Sequence, residues 1–189
     1  MTSSGPDPLL IGLAAGNEQA YSLLYERFGT RLYRVALGML GRREDAEDAV
    51  QEVFTALVRS QNKLAGINDL TAYLFAALRH AVVRCAERRH RDSLGMEIAA
   101  EAARVLGKGS EKTENPDAER LQQALAVLPP EQREVLSLKI AGELTLAQIG
   151  EVLGVSQNTA ASRYRYALEK LRSIMLPSPI GRGAGGEGP

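Results

Sequence analysis

Thr145-Leu146-Ala147-Gln148-Ile149-Gly150-Glu151-Val152-Leu153-Gly154-Val155-Ser156 is the stretch that decides how this chain folds. Thr145 followed three positions later by Gln148 is a capping box, in which the hydroxyl accepts from the Gln148 amide and the glutamine side chain reaches back to the Thr145 amide. Leu144 and Ile149 flank the box as a hydrophobic staple. The short helix that follows, Leu146 to Leu153, stops at Gly154, a residue free to take the left-handed conformation of a tight turn. Val155 turns inward, and Ser156 caps a second helix. A short helix, a glycine turn and a serine-capped, arginine-bearing helix make a helix-turn-helix, the arrangement that lays its second helix in a DNA major groove.

At about 100° per residue, Ala160, Ala161, Tyr164, Ala167, Leu168 and Leu171 share the side of the second helix expected to pack. Asn158, Ser162, Arg165, Tyr166 and Glu169 fall opposite, with Thr159, Arg163 and Lys170 flanking. In this geometry N-terminal residues reach base edges and later basic ones meet phosphates.

Outward from this stretch the apolar spacing stays helical. Helices over 117–128 and 130–141 complete a unit spanning 116–176. An earlier unit spans 7–91. Asp7-Pro8 starts its first helix, which runs to Ala15. Asn17 caps a second, on which Tyr21, Leu24, Tyr25, Phe28, Leu32, Val35 and Met39 recur at helical steps until Gly41. A third helix covers 43–60, with Ala46, Ala49, Val50, Val53, Phe54, Leu57 and Val58 on one side, and a fourth covers 70–91. Between the units, residues 92–115 are rich in Gly, Ala, Glu and Lys and carry Gly107-Lys108-Gly109-Ser110. They read as a linker holding one weak helix near 96–105. Residues 177–189, rich in Pro and Gly, are expected to be a disordered tail. The fold class is therefore all-α: an N-terminal helical bundle and a C-terminal helix-turn-helix domain on a flexible linker, each half expected to fold independently. With 3 Phe and no Trp, the cores must be built from Leu, Ala and Val.

Formal net charge is zero, but the charges are segregated. From Arg42 to Glu52, two Arg face Glu44, Asp45, Glu47, Asp48 and Glu52, a net of −3. From Arg79 to Arg91, five Arg face Glu87 alone, a net of +4. From Ser156 to Arg172, four basic residues face Glu169, a net of +3. Distribution, more than total, marks a nucleic-acid surface. On the fourth helix, Tyr73, Ala77, His80, Arg84, Arg88 and Arg91 share a sector beside the packing face of Leu74, Phe75, Leu78, Val82 and Cys85. An aromatic, a histidine and arginines on one side suit phosphates and the stacking of unpaired bases. The same pattern also fits a solvated basic stripe. The acidic helix likewise reads either as a surface helix favoured by its dipole or as a docking face for a basic partner.

Enzyme chemistry finds little footing. No Gly-rich phosphate loop, nucleophile elbow or metal-ligand motif is present. His80, Cys85 and His90 step by five residues, about 140° each, and cannot converge on one ion from a continuous helix. No cofactor or metal site is expected. One cysteine permits no internal disulfide. With no signal peptide and no spanning apolar run, a cytoplasmic location and no membrane partner are expected.

Taken together and in this order, the units resemble the bacterial RNA polymerase sigma factors of the small extracytoplasmic-function group. The likeness is carried by Leu24-Tyr25-Glu26-Arg27-Phe28, by Arg31 to Ala36 and by Asp45-Ala46-Glu47-Asp48-Ala49-Val50-Gln51-Glu52-Val53-Phe54. In the second unit it is carried by Leu128-Pro129-Pro130-Glu131-Gln132-Arg133-Glu134-Val135-Leu136 and by Ile149 to Ser156. The resemblance implies that Asp48, Gln51 and Glu52 dock on core RNA polymerase. It implies that Tyr73, His80, Arg84 and Arg88 face the −10 promoter element and help open its strands. It places Asn158, Thr159, Ser162, Arg163 and Arg165 in the −35 major groove. The polymerase does the chemistry, and an anti-sigma protein is a candidate regulator.

The chain departs from the group at Tyr73, where Trp is usual, at Ala76, where Arg is common, and at His80, where Asn is common. Ala161 replaces a basic residue usual before Ser162-Arg163. The resemblance therefore carries no promoter sequence. The alternatives are a stand-alone helix-turn-helix regulator, which gives the acidic helix no role, and a polymerase adaptor that has lost promoter recognition.

Overall fold

The computed structural model describes residues 8–60, 64, 66–103 and 124–175, and among these residues there is no strand. The helices are α1 (Pro8–Ala14), α2 (Glu18–Leu40), α3 (Arg43–Arg59), α4 (Leu70–Ala103), α5 (Pro130–Ile140), α6 (Leu146–Leu153) and α7 (Gln157–Met175). Their ends follow local chemistry. Asn17 stands in extended backbone and accepts from the Gln19 amide at 2.8 Å. Asp69 caps α4 by accepting from the Ala72 amide at 2.9 Å. The Thr145–Gln148 capping box is complete, and Gly154 ends α6 at φ 67°, where a side chain would be strained.

α4 is longer than the spacing suggested. Its backbone stays helical to Ala103, so residues 92–103 of the expected linker extend it. Ala99, Ala100, Ala102 and Ala103 are strong helix formers, and Gly95 alone does not outweigh them. The rest of the linker, most of the helix expected over 117–128, and the tail lie outside the described residues.

The expectation that each half keeps its own core needs correction. α1–α4 pack around Leu24, Phe28, Leu32, Val53, Leu74 and Phe75, among others. Val135, Leu138, Leu144, Ile149, Val152 and Ala160 of the second half join the same buried cluster. α5 packs on α2, and α6 packs on α4. The second half retains only a small cluster of its own: Leu125, Leu128, Leu136 and Ala167. The second half is small, and its shorter helices, α5 and α6 at 11 and 8 residues, bury apolar faces against α2 and α4.

Polar clasps cross the same boundary. Arg31 lies over the rings of Phe28 and Phe75, each at 5.6 Å. Its guanidinium donates to the Gly142 carbonyl and stands 3.8 Å from the Glu143 carboxylate. Glu143 holds a left-handed conformation (φ 55°), one that L side chains rarely take, so Arg31 steadies a turn that would otherwise be costly. Arg79 pairs with Glu134 at 2.8 Å. Gln148 donates to the Asp69 carboxylate at 2.9 Å. Arg133 gathers the carbonyls of Leu125, Ala126 and Leu128 and reaches that of Met39. α2 and α5 cross closely: a Cβ on Gly38 would lie 2.6 Å from Ser137 Oγ.

Candidate nucleic-acid interface

α7 begins with Ser156 Oγ accepting from the Thr159 amide at 3.0 Å, while the two hydroxyls stand 2.8 Å apart. Thr159, expected at the DNA, thus also completes the cap. Ala160 and Ala167 are buried, and Tyr164 and Leu171 are half-buried against the core. Asn158, Thr159, Arg165 and Tyr166 are exposed, and Ser162 and Arg163 are half-buried at the flank. The Arg165 guanidinium stacks over Tyr166 at 6.0 Å, an arrangement that stiffens it without neutralising it. Leu168, expected to pack, is 42% exposed.

On α4, His80 is exposed and Tyr73 is half-buried against the core. Arg84 and Arg88 are not free cations. Arg84 Nη2 stands 2.6 Å and its Nε 2.7 Å from Glu52 Oε1, and Arg88 Nη2 stands 3.8 Å from Glu52 Oε2. The next residue, Arg89, pairs with Asp45 at 3.5 Å. The structure therefore brings Glu52 together with Arg84 and Arg88, three residues that the sequence divided between two surfaces. Arg88 also donates to Cys85 Sγ at 3.2 Å. Burial pushes the Cys85 thiol up from its ordinary value, and the Arg88 charge and hydrogen bond only partly oppose this. Cys85 is thus a core residue and not a nucleophile. Among the described residues, no cluster of His, Cys, Asp and Glu is placed to hold a metal.

Asp48 and Gln51 remain outward on α3. They adjoin a feature that the sequence did not reveal, an open groove between α2 and α3. Leu23, Tyr25, Phe54 and Val58 line it, with Glu18, Glu26, Glu47 and Gln51 around them. The Tyr25 and Phe54 rings meet at 5.3 Å and 50°. Tyr25 and Val58, expected in the core, are 63% and 50% exposed. The signal was present as excess width: α3 carries Phe54 and Val58 besides the residues that α2 and α4 bury, more stripe than one packing face uses. An exposed aromatic patch with a polar rim marks an interaction site.

Residues 24–92 match Sigma-70 region 2, and residues 124–173 match Sigma-70, region 4. The chain is 29% identical over 167 residues to the ECF RNA polymerase sigma factor SigL of Mycobacterium tuberculosis, covering 85% of this chain and 92% of that one. It is 26% identical over 182 residues to SigK of Mycobacterium bovis, covering 92% and 95%. In fold it is similar to CnrH, solved in complex with the cytosolic domain of CnrY (TM-score 0.64, 24% identity, covering 88% of this chain and 94% of that one). It is also similar to the sigma factor RpoE of Bartonella quintana, solved with the anti-sigma factor NepR (TM-score 0.68, 19% identity, covering 85% and 99%). With both sigma-70 regions present in order, along a length shared with these relatives, the chain belongs to the bacterial RNA polymerase sigma factors of the extracytoplasmic-function group.

Proposed function

We propose that the chain docks on core RNA polymerase through the α2–α3 groove and the outward residues Asp48 and Gln51, with Glu52 at the border of that face. Tyr73, His80, Arg84 and Arg88 of α4 then meet the −10 element, and Asn158, Thr159, Ser162, Arg163 and Arg165 of α7 meet the −35 element. Catalysis stays with the polymerase, and the chain works in the cytoplasm. Among the described residues no helix is long and apolar enough to cross a membrane. The observation that carries this reading is the acid-rimmed aromatic groove of α2 and α3 on the same short chain as a serine-capped recognition helix with an open polar face. A stand-alone regulator leaves that groove without an occupant. The solved relatives' complexes with CnrY and NepR support an anti-sigma protein as a regulator of this chain too.

Promoter reading by both units requires the halves to part. Two elements about two helical turns apart are separated by roughly 70 Å. α7 packs on α6 and α6 on α4, which places the recognition helix within about 20 Å of α4, two interaxial spacings. The working boundaries are accordingly residues 7–91 for the −10 unit and 116–176 for the −35 unit, with 92–115 between them. Drawn out fully, with residues 92–103 unwound from α4, that segment reaches about 80 Å; with 92–103 helical it reaches only about 60 Å, so parting the halves unwinds the end of α4. The test is retention of core polymerase by the immobilised chain. Asp48→Lys should abolish retention with helicity unchanged, and undiminished retention would remove the docking face from the proposal.

A further inference from the structure

Glu52 sits at the border of two surfaces. It lies one turn beyond Asp48 on α3, yet its carboxylate faces α4 and holds Arg84 at 2.6 Å and Arg88 at 3.8 Å. A carboxylate that meets two guanidinium groups on a face meant for DNA offers them what a backbone phosphate offers, one negative charge and a pair of oxygen acceptors. We infer that Glu52 is an internal competitor of DNA phosphate: in the free chain it occupies Arg84 and Arg88, and DNA must displace it.

The inference rests on the reading of α4 as a DNA face and deepens it. Arg84 and Arg88 are each about half-exposed, and Glu52 is 35% exposed, so the pairs are partly screened and their strength is modest. That is the property a competitor needs, because a deeply buried pair would not yield. The arrangement also couples the two sites. A cationic docking partner that draws Glu52 toward Asp48 and Gln51 frees Arg84 and Arg88. By linkage, DNA that takes the arginines offers Glu52 to the partner. The free chain is thereby held back from indiscriminate binding to nucleic acid.

The test uses the full-length chain without polymerase and a fluorescent twelve-residue oligo(dT), read by anisotropy at a fixed low salt. Glu52→Gln should tighten binding by about threefold to tenfold, the combined worth of two exposed ion pairs. Glu47→Gln removes the same charge from α3; Glu47 is exposed and takes part in none of the ion pairs among the described residues. It should give a clearly smaller gain. In an Arg84→Gln/Arg88→Gln background the advantage of Glu52→Gln over Glu47→Gln should vanish, as a double-mutant cycle requires. A gain for Glu52→Gln no larger than that for Glu47→Gln would overturn the proposal, as would one that persists without the arginines. If removing both arginines leaves oligo(dT) binding unchanged, the assignment of α4 to DNA falls, and the competitor with it. No polymerase is present, so failure of the docking assignment cannot produce any of these results.

Discussion

The side-chain amide of Gln148 ties two helix starts together: its Nε2 donates to Asp69 Oδ2 at 2.9 Å, and its Oε1 accepts from the Thr145 amide at 3.1 Å. Asp69 in turn caps α4 through the Ala72 amide. One residue of the helix-turn-helix thus completes its own capping box and anchors the first bundle. Gln148→Ala should cost about 1–2 kcal/mol. The interaction energy with Asp69→Ala, from urea melts of the two single variants and the double variant, should be at least 0.5 kcal/mol, on the order expected for residues in contact. Additive losses would mean that the bridge carries no energy.

Because the halves share one buried cluster, the isolated chain should unfold in a single transition. Circular dichroism and tyrosine fluorescence should give coincident midpoints in urea. Two separated transitions would restore independent cores.

The same closure can be locked. An ideal Cβ on Gly38 lies 3.4 Å from Ser137 Cβ, at the short edge of disulfide spacing. Oxidised Gly38→Cys/Ser137→Cys should retain core polymerase but lose promoter-dependent initiation at least tenfold, with recovery on reduction. Full activity of the oxidised form would show that the halves need not part.

At the recognition helix, stability and recognition should separate. Ser156→Ala removes the hydroxyl that caps Thr159 and should cost about 1 kcal/mol of stability. Arg165 is exposed, so Arg165→Ala should leave the melting temperature within a degree or two. It should weaken upstream promoter binding by about 1–3 kcal/mol if it reads a base. A loss of stability without a loss of DNA binding would move Arg165 from the interface to the fold.

Much of this was legible in the sequence, because the signals were local. Thr145 with Gln148, Gly154 and Ser156 each specify a backbone event within four residues, and Asn158 and Arg165 follow by rotation about one helix. Periodicity says that a face is buried but not what covers it, so the shared core was hidden. Arg79 and Glu134, or Arg31 and Gly142, meet only once the whole chain has folded. The spacing of Tyr25 and Val58 matches a buried stripe, but that stripe is wider than the neighbouring helices cover. Glu52 shares the acidic stretch with Asp48 and Gln51 in sequence, whereas its carboxylate pairs with Arg84 across the helix pair.

Cys85 offers a check on the packing of α4. Burial raises its thiol pKa, so at pH 8 less thiolate is present in the folded chain than in the unfolded one. Raising the pH should speed alkylation, but native labelling should stay slower than in denaturant throughout. Equal rates would mean that α4 is loosely packed there.

That this chain directs polymerase to promoters is tested most directly by transcription in vitro by core polymerase with and without it. On restricted genomic DNA from the source bacterium, discrete transcripts should appear only with the chain and fall sharply with Asp48→Lys. Polymerase output unchanged by the chain, together with specific duplex binding by the chain alone, would contradict that role.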